Sequence, residues 1–265
     1  MTDLLDLSEQ ITLREKILRL SDLSSGINNG TIADKTKAHQ KRKQLMDQIN
    51  VCPQLRDDLF FVFGSLSQYD KSFKTKYPNY ASSCTTISVL AAISILDNMP
   101  KIPSLPTSVD IDKYVTDGIE KHKELVDAGS NPSAIVGEVL EIPEIKSVIT
   151  EPFEYNGSLR RDFGMWFDNM IEAVYDNYPL NNKVIAVLIT ASLETISLIL
   201  PPNKATNKAI IFDPHARPEL CNNSASFINY TSHLDLLNRL TVRFPEPEVL
   251  DEMMVQFTAT AFTLL

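Results

Sequence analysis

Asp213-Pro214-His215 closes the apolar run "KAIIF" (208–212) and sets a carboxylate and an imidazole two residues apart, on one face of an extended chain. A carboxylate held against an imidazole orients the ring and stabilises its protonated form, which suits a general base. A base of this kind needs a nucleophile. Cys84 lies where the loop "NYASS" gives way to the apolar segment "CTTISVLAAISIL". If that segment is a helix, the sulfur sits at its N-terminus, where free N–H groups and a partial positive charge favour the thiolate. Cys84 as nucleophile, His215 as base and Asp213 as orienter form a cysteine-hydrolase set. Gln68, 16 positions before the cysteine in "GSLSQYDKSF", could supply a side-chain amide donor beside the Cys84 backbone N–H for an oxyanion. Taken singly, each has a plain alternative, because a cysteine before an apolar helix is usually a small buried hydrophobe and Asp-Pro is ordinary turn chemistry. Their order along the chain is what joins them.

The other cysteines and histidines fit this chemistry less well. Cys52 precedes a proline, and Cys221 follows His215 closely within an Asn-rich stretch. His39 and His233 lack a carboxylate at i−2. His122 falls on an apolar helical stripe and reads as a packing residue. Three scattered cysteines form neither a disulfide framework nor a zinc site, so no metal or other cofactor is expected.

Positioning these residues requires helices first and strands last. The 265-residue chain is 43% hydrophobic, enough for a sizeable core. Residues 87–96 are apolar nearly all round, as in a buried central helix. After a proline-punctuated loop with a candidate N-cap at Thr107 or Ser108, Ile111, Val115, Ile119, His122 and Val126 mark an amphipathic helix ended by Gly129. A short helix is expected over 133–140. Runs at 183–190, 195–200, 208–212 and 255–265 read as strands, giving an α+β chain with a largely antiparallel sheet. Residues 1–55 read as an appended helical hairpin around the turn 24–31, with a basic cluster at Lys35–Lys43 and an apolar stripe suited to a protein partner.

A net charge of −9 argues against a general nucleic-acid binder and is compatible with a basic protein partner. The longest apolar runs fall short of a membrane span and nothing at Met1 resembles a signal peptide, so a soluble intracellular, cytoplasmic protein is expected.

From about Phe63 onward the chain resembles the viral-tegument-type deubiquitinases, cysteine peptidases found at the start of herpesvirus large tegument proteins. "GSLSQYDKSF" resembles the family's Gln-containing segment, "SSCTTISVLAAI" its cysteine helix and "VDIDKYVTDGIEKHKELV" the helix that follows. "LEIPEIKSV" is similar to a short Leu-Pro segment, "IIFDPH" matches the Asp-Pro-His block, and "SASFINYTSHLDLLNRL" resembles the stretch after it. The chain departs from the pattern before the cysteine, with Ala81, Ser82 and Ser83 where the family has Gly and Gln, and at Ala216, where Gly is usual.

The resemblance implies a papain-like cysteine protease fold over 56–265, with an N-terminal helical lobe and a C-terminal, mostly antiparallel sheet. It further implies a thiol protease cleaving after the ubiquitin C-terminal glycine, with ubiquitin or polyubiquitin as partner and Cys84, His215, Asp213 and Gln68 in the roles given above. The same fold acting on another ubiquitin-like modifier or on a different protein, and a catalytically idle interaction module, are the alternatives. The acidic stretches 108–112 and 245–252 are candidate contacts for a basic ubiquitin tail, and Tyr80 and Trp166 are candidate walls of a narrow cleft.

Overall fold

Strand residues 185–189 and 209–212 are apolar at consecutive positions, not alternate ones, a pattern that demands cover on both faces of a sheet. The computed structural model has that form. It describes residues 37, 59–98, 106–133, 135–159, 163–178, 183–202, 209–216, 224–230, 233–244 and 256–265. The hairpin expected over 1–55, including Cys52, His39 and all of the basic cluster but Lys37, lies outside these residues, as do Cys221 and the acidic stretch 245–252.

The elements in chain order are β1 (Leu59–Phe63), α1 (Cys84–Asn98), α2 (Ser108–Asp127), α3 (Val136–Leu140), α4 (Pro143–Lys146), β2 (Phe153–Ser158), α5 (Phe163–Asn177), β3 (Ile185–Ala191), β4 (Glu194–Leu200), β5 (Ala209–Asp213), β6 (Ser226–Tyr230), α6 (His233–Arg243) and β7 (Gln256–Phe262). Short 3-10 turns at Lys71–Phe73 and Tyr80–Ser82 precede α1. The strands form one seven-stranded sheet in the order β1-β6-β5-β4-β3-β7-β2, and every pairing is antiparallel.

Alternation along the strands divides the core in two. Ala186, Leu188, Ile199, Ile210 and Phe212 face a layer built by α1 to α4, where Ile87, Val89, Ile111, Val115 and Ile119 are fully buried. Ile185, Val187, Ile189, Leu198 and Ile211 face the opposite layer, packed by Phe163, Phe167, Met170 and Val174 of α5 and by Leu236 and Leu240 of α6. The fold is thus α+β and papain-like, with the helical lobe early in the chain and the antiparallel sheet late, as the sequence leads one to expect. Sequence reasoning does not anticipate β1, β2, β6 or α5. At Thr107 the structure confirms a cap: its hydroxyl accepts from Asp110 N while Asp110 reaches back to Thr107 N, 2.7 Å away. Gly129, with φ +96°, ends this helix. Among the described residues no helix is long and apolar enough to cross a membrane.

Candidate active site

Cys84 is the first residue of α1, placed there by how the helix docks. Thr85 Oγ1 lies 3.1 Å from Thr195 Oγ1, Ser88 Oγ donates to the Thr195 carbonyl (2.9 Å), and Ser197 Oγ donates to the Ser88 carbonyl (2.7 Å). These buried hydroxyl contacts fix the first turn of α1 to β4 at the end of the sheet. The N–H groups of that turn have no intrahelical acceptor and lend their partial positive charge to the thiol.

β5 ends at Asp213, and Pro214 cannot extend the ladder. His215 therefore stands just past the strand, not on it. Its place beside Asp213 comes from a turn in which Asp213 Oδ1 accepts from the His215 backbone N (3.0 Å) and lies 2.5 Å from Nδ1. With a carboxylate at that distance Nδ1 carries the proton, leaving Nε2 for the thiol. Cys84, His215 and Asp213 are buried, with exposures of 4%, 0% and 2%.

Burial opposes ionisation of the Cys84 thiol more than any other influence, but the hydrogen bond and charge of His215, helped by the Thr195 backbone, hold its pKa below the ordinary value, against a smaller push upward from Glu194. For His215 burial also opposes the charged form, and Asp213 together with the thiol outweighs it, raising the imidazole pKa. Both shifts favour a thiolate–imidazolium pair. Asp213 stays far below the usual carboxylate range: burial works against ionisation, and Arg243 and His215 overcome it.

Gln68 lies in the loop after β1, which is tied to the far side of the site. Gly64 N donates to the Ala225 carbonyl, Ala225 N to the Leu66 carbonyl (2.7 Å), and Gln68 N to the Pro214 carbonyl (3.0 Å). Asp112 of α2 anchors the same loop by accepting from Ser65 N (2.7 Å), Ser65 Oγ (2.6 Å) and Leu66 N (2.9 Å). The Gln68 amide is buried and donates from Nε2 to the Ala81 carbonyl (3.0 Å), while its Oε1 has no hydrogen-bond partner among the described residues. Gln68 thus bridges the Asp-Pro-His turn and the loop leading into Cys84.

Sequence reasoning misses three residues here. Arg243, the last residue of α6, donates from Nε to Asp213 Oδ2 (2.6 Å) and from Nη1 to Glu194 Oε2 (2.8 Å). Glu194 opens β4, and its Oε1 accepts from Tyr69 Oη (3.0 Å) and lies 3.9 Å from His215 Nε2. The Tyr69 ring packs 5.7 Å from the imidazole. A terminal helical Arg and a Glu beside a hairpin turn carry no local signal, because only the fold brings them together.

Other expected roles fall elsewhere. Asp110 and Asp112 are engaged in the helix cap and the Gln68 loop. Tyr80 packs on the core layer of α1 and Trp166 on the opposite layer, so the sheet separates them and they do not face each other across one cleft. His122 is buried with Nε2 2.8 Å from the Pro132 carbonyl, and His233 pairs with Asp168 on the surface (2.7 Å). Among the described residues no group of His, Cys, Asp or Glu is placed to hold a metal ion.

No protein-family model matches the chain, and no curated protein matches it in sequence. Among solved structures it is similar to the ubiquitin-specific protease encoded by murine cytomegalovirus tegument protein M48, crystallised with a ubiquitin-based suicide substrate. The TM-score is 0.54 at 17% identity, covering 77% of this chain and 87% of that one. At this identity the similarity establishes the fold.

Proposed function

We propose that this chain is a cysteine-dependent deubiquitinase that hydrolyses the peptide or isopeptide bond after the ubiquitin C-terminal glycine. The reading is carried by one observation: a buried cysteine opens a helix at the same site as a buried imidazole whose Nδ1 lies 2.5 Å from a buried carboxylate. Fold similarity to a viral ubiquitin-specific protease supports ubiquitin as the substrate class.

In the proposed mechanism the Cys84 thiolate attacks the glycine carbonyl carbon, forming a C–S bond and moving the π electrons onto oxygen. The Cys84 backbone N–H and Gln68 Nε2 donate to that oxyanion. As the tetrahedral species collapses, His215 gives its Nε2 proton to the departing amine and the C–N bond breaks, leaving a thioester. His215 then takes a proton from water, whose oxygen attacks the thioester carbonyl, and release of the glycine carboxylate restores the thiolate–imidazolium pair. Asp213 keeps the ring in the Nδ1–H tautomer throughout. The low exposure of Cys84 suits a substrate with no side chains at the scissile residues.

The test is hydrolysis of ubiquitin carrying a C-terminal fluorogenic amide, run beside the same leaving group on ubiquitin-like modifiers. The wild-type chain is expected to turn over the ubiquitin substrate, and Cys84→Ala and His215→Ala to lose turnover by at least about 10³-fold. Turnover confined to another modifier would move the substrate assignment, and full activity in Cys84→Ala would remove the mechanism.

A further inference from the structure

Two carboxylates flank one imidazole: Asp213 Oδ1 lies 2.5 Å from Nδ1 of His215, and Glu194 Oε1 lies 3.9 Å from Nε2. This arrangement is hazardous for a thiolate–imidazolium pair, because the Nε2 proton must serve Cys84 and a nearby carboxylate competes for it. Asp213 must stay on Nδ1 and Glu194 must stay off Nε2. Both carboxylates are held by the same side chain. Arg243 Nε takes Asp213 Oδ2, leaving Oδ1 for the His215 backbone and ring, while Nη1 takes Glu194 Oε2. The Tyr69 hydroxyl holds the other Glu194 oxygen, so this carboxylate is anchored on both of its atoms.

We propose that Arg243 is a positioning residue of the active site: its guanidinium fork holds Asp213 against Nδ1 and Glu194 away from Nε2, reserving the Nε2 proton for Cys84. The inference rests on the cysteine-hydrolase reading above. Arg243 is buried, and its guanidinium is planar and permanently charged, which allows one side chain to span carboxylates from β5 and β4. Nη2 also lies 3.0 Å from Nδ1. Since Nδ1 carries its own proton, this approach is a like-charge contact when the ring is protonated, and it restrains the imidazolium pKa. The groups facing the pair are Asp213 from β5, Glu194 from β4, Arg243 from α6 and Tyr69 from the loop after β1. Removing the Arg243 cation acts in one direction. Glu194 is released toward Nε2 and draws the imidazolium proton from the thiolate, so His215 keeps its proton to higher pH while Cys84 ionises with more difficulty.

The test measures the rate of Cys84 alkylation by iodoacetamide against pH, with the adduct located by peptide mass spectrometry. No ubiquitin is involved, so the result does not depend on the substrate assignment. In the wild-type chain Cys84 is expected to alkylate with a midpoint well below the roughly 8.5 of a free thiol. Arg243→Met should move that midpoint up by about one pH unit or more, and Glu194→Gln placed on Arg243→Met should restore at least half of the shift, since the competing carboxylate is gone. Should Arg243→Met fail to fold, Arg243→Lys decides: it keeps the charge but cannot fork across two carboxylates, so its midpoint should also rise. A variant profile superimposable on wild type, or a shift in Arg243→Met that Glu194→Gln does not reverse, overturns the role of Arg243 and leaves the nucleophile intact. A wild-type midpoint at the free-thiol value would instead defeat the cysteine-hydrolase reading itself.

Discussion

Asp213 is held by two partners through three contacts: the backbone N–H and ring Nδ1 of His215 on Oδ1, and the Arg243 Nε on Oδ2. Half of this was legible in the sequence, because an Asp two residues before a His can reach it in an extended chain or in a turn. The other half was not, since Arg243 is 30 positions away. The Asp213 charge raises the His215 pKa, so Asp213→Asn should lower it and move the alkaline limb of kcat/KM to lower pH. The plateau rate should also fall by about 10² to 10⁴-fold, as expected when the tautomer is no longer enforced. Arg243→Met should move the same limb to higher pH, because Arg243 lowers the His215 pKa. Limbs moving in the same direction in the two variants would contradict the electrostatic account.

At the scale of elements, the position of the nucleophile depends on α1 lying close to both β4 and α2. A Cβ added at Gly118 would lie 2.4 Å from Ile87 Cα, a backbone atom that cannot move without the helix. Gly118→Ala is therefore expected to destabilise the chain by about 1–3 kcal/mol, the usual cost of overpacking, and to lower kcat through the displaced Cys84. Thermal melting and turnover on the same sample check this, and an unchanged Tm would show that α1 and α2 separate freely. α1 was legible because its apolar run has no polar face, and α2 because its stripe and Thr107 cap agree. β2 was not, since "FEYNGS" is polar and half-exposed at the sheet edge, with its pairing supplied by β7. The stripe Phe163, Phe167, Met170, Ile171 and Val174 of α5 does have helical spacing, and the sequence reading passes over it. The β3–β4 hairpin turn, with Ser192 at φ 51° and Leu193 at φ 66°, has no glycine or asparagine to announce it, although the Leu193 carbonyl lies 3.8 Å from Cys84 Sγ.

For the whole molecule, the contacts described at the site join residues from Gly64 to Arg243. Helices on one face of the sheet bring Cys84 to its end, and α6 on the other brings Arg243. We propose that the boundary of the catalytic unit lies near residue 56 and expect a chain starting at Pro53 to melt cooperatively and to hydrolyse a small ubiquitin amide at a rate within about threefold of the full chain, a difference of about 0.65 kcal/mol. A folded but inactive chain would assign residues 1–55 to the active site. The most direct test of the central claim is reaction of the full chain with ubiquitin bearing a C-terminal electrophile, followed by intact-mass and peptide analysis. The account predicts a single ubiquitin adduct on Cys84 that is absent in Cys84→Ala and retained in Cys52→Ala and Cys221→Ala. An adduct on Cys52 or Cys221, or none on a folded wild-type chain, would contradict it.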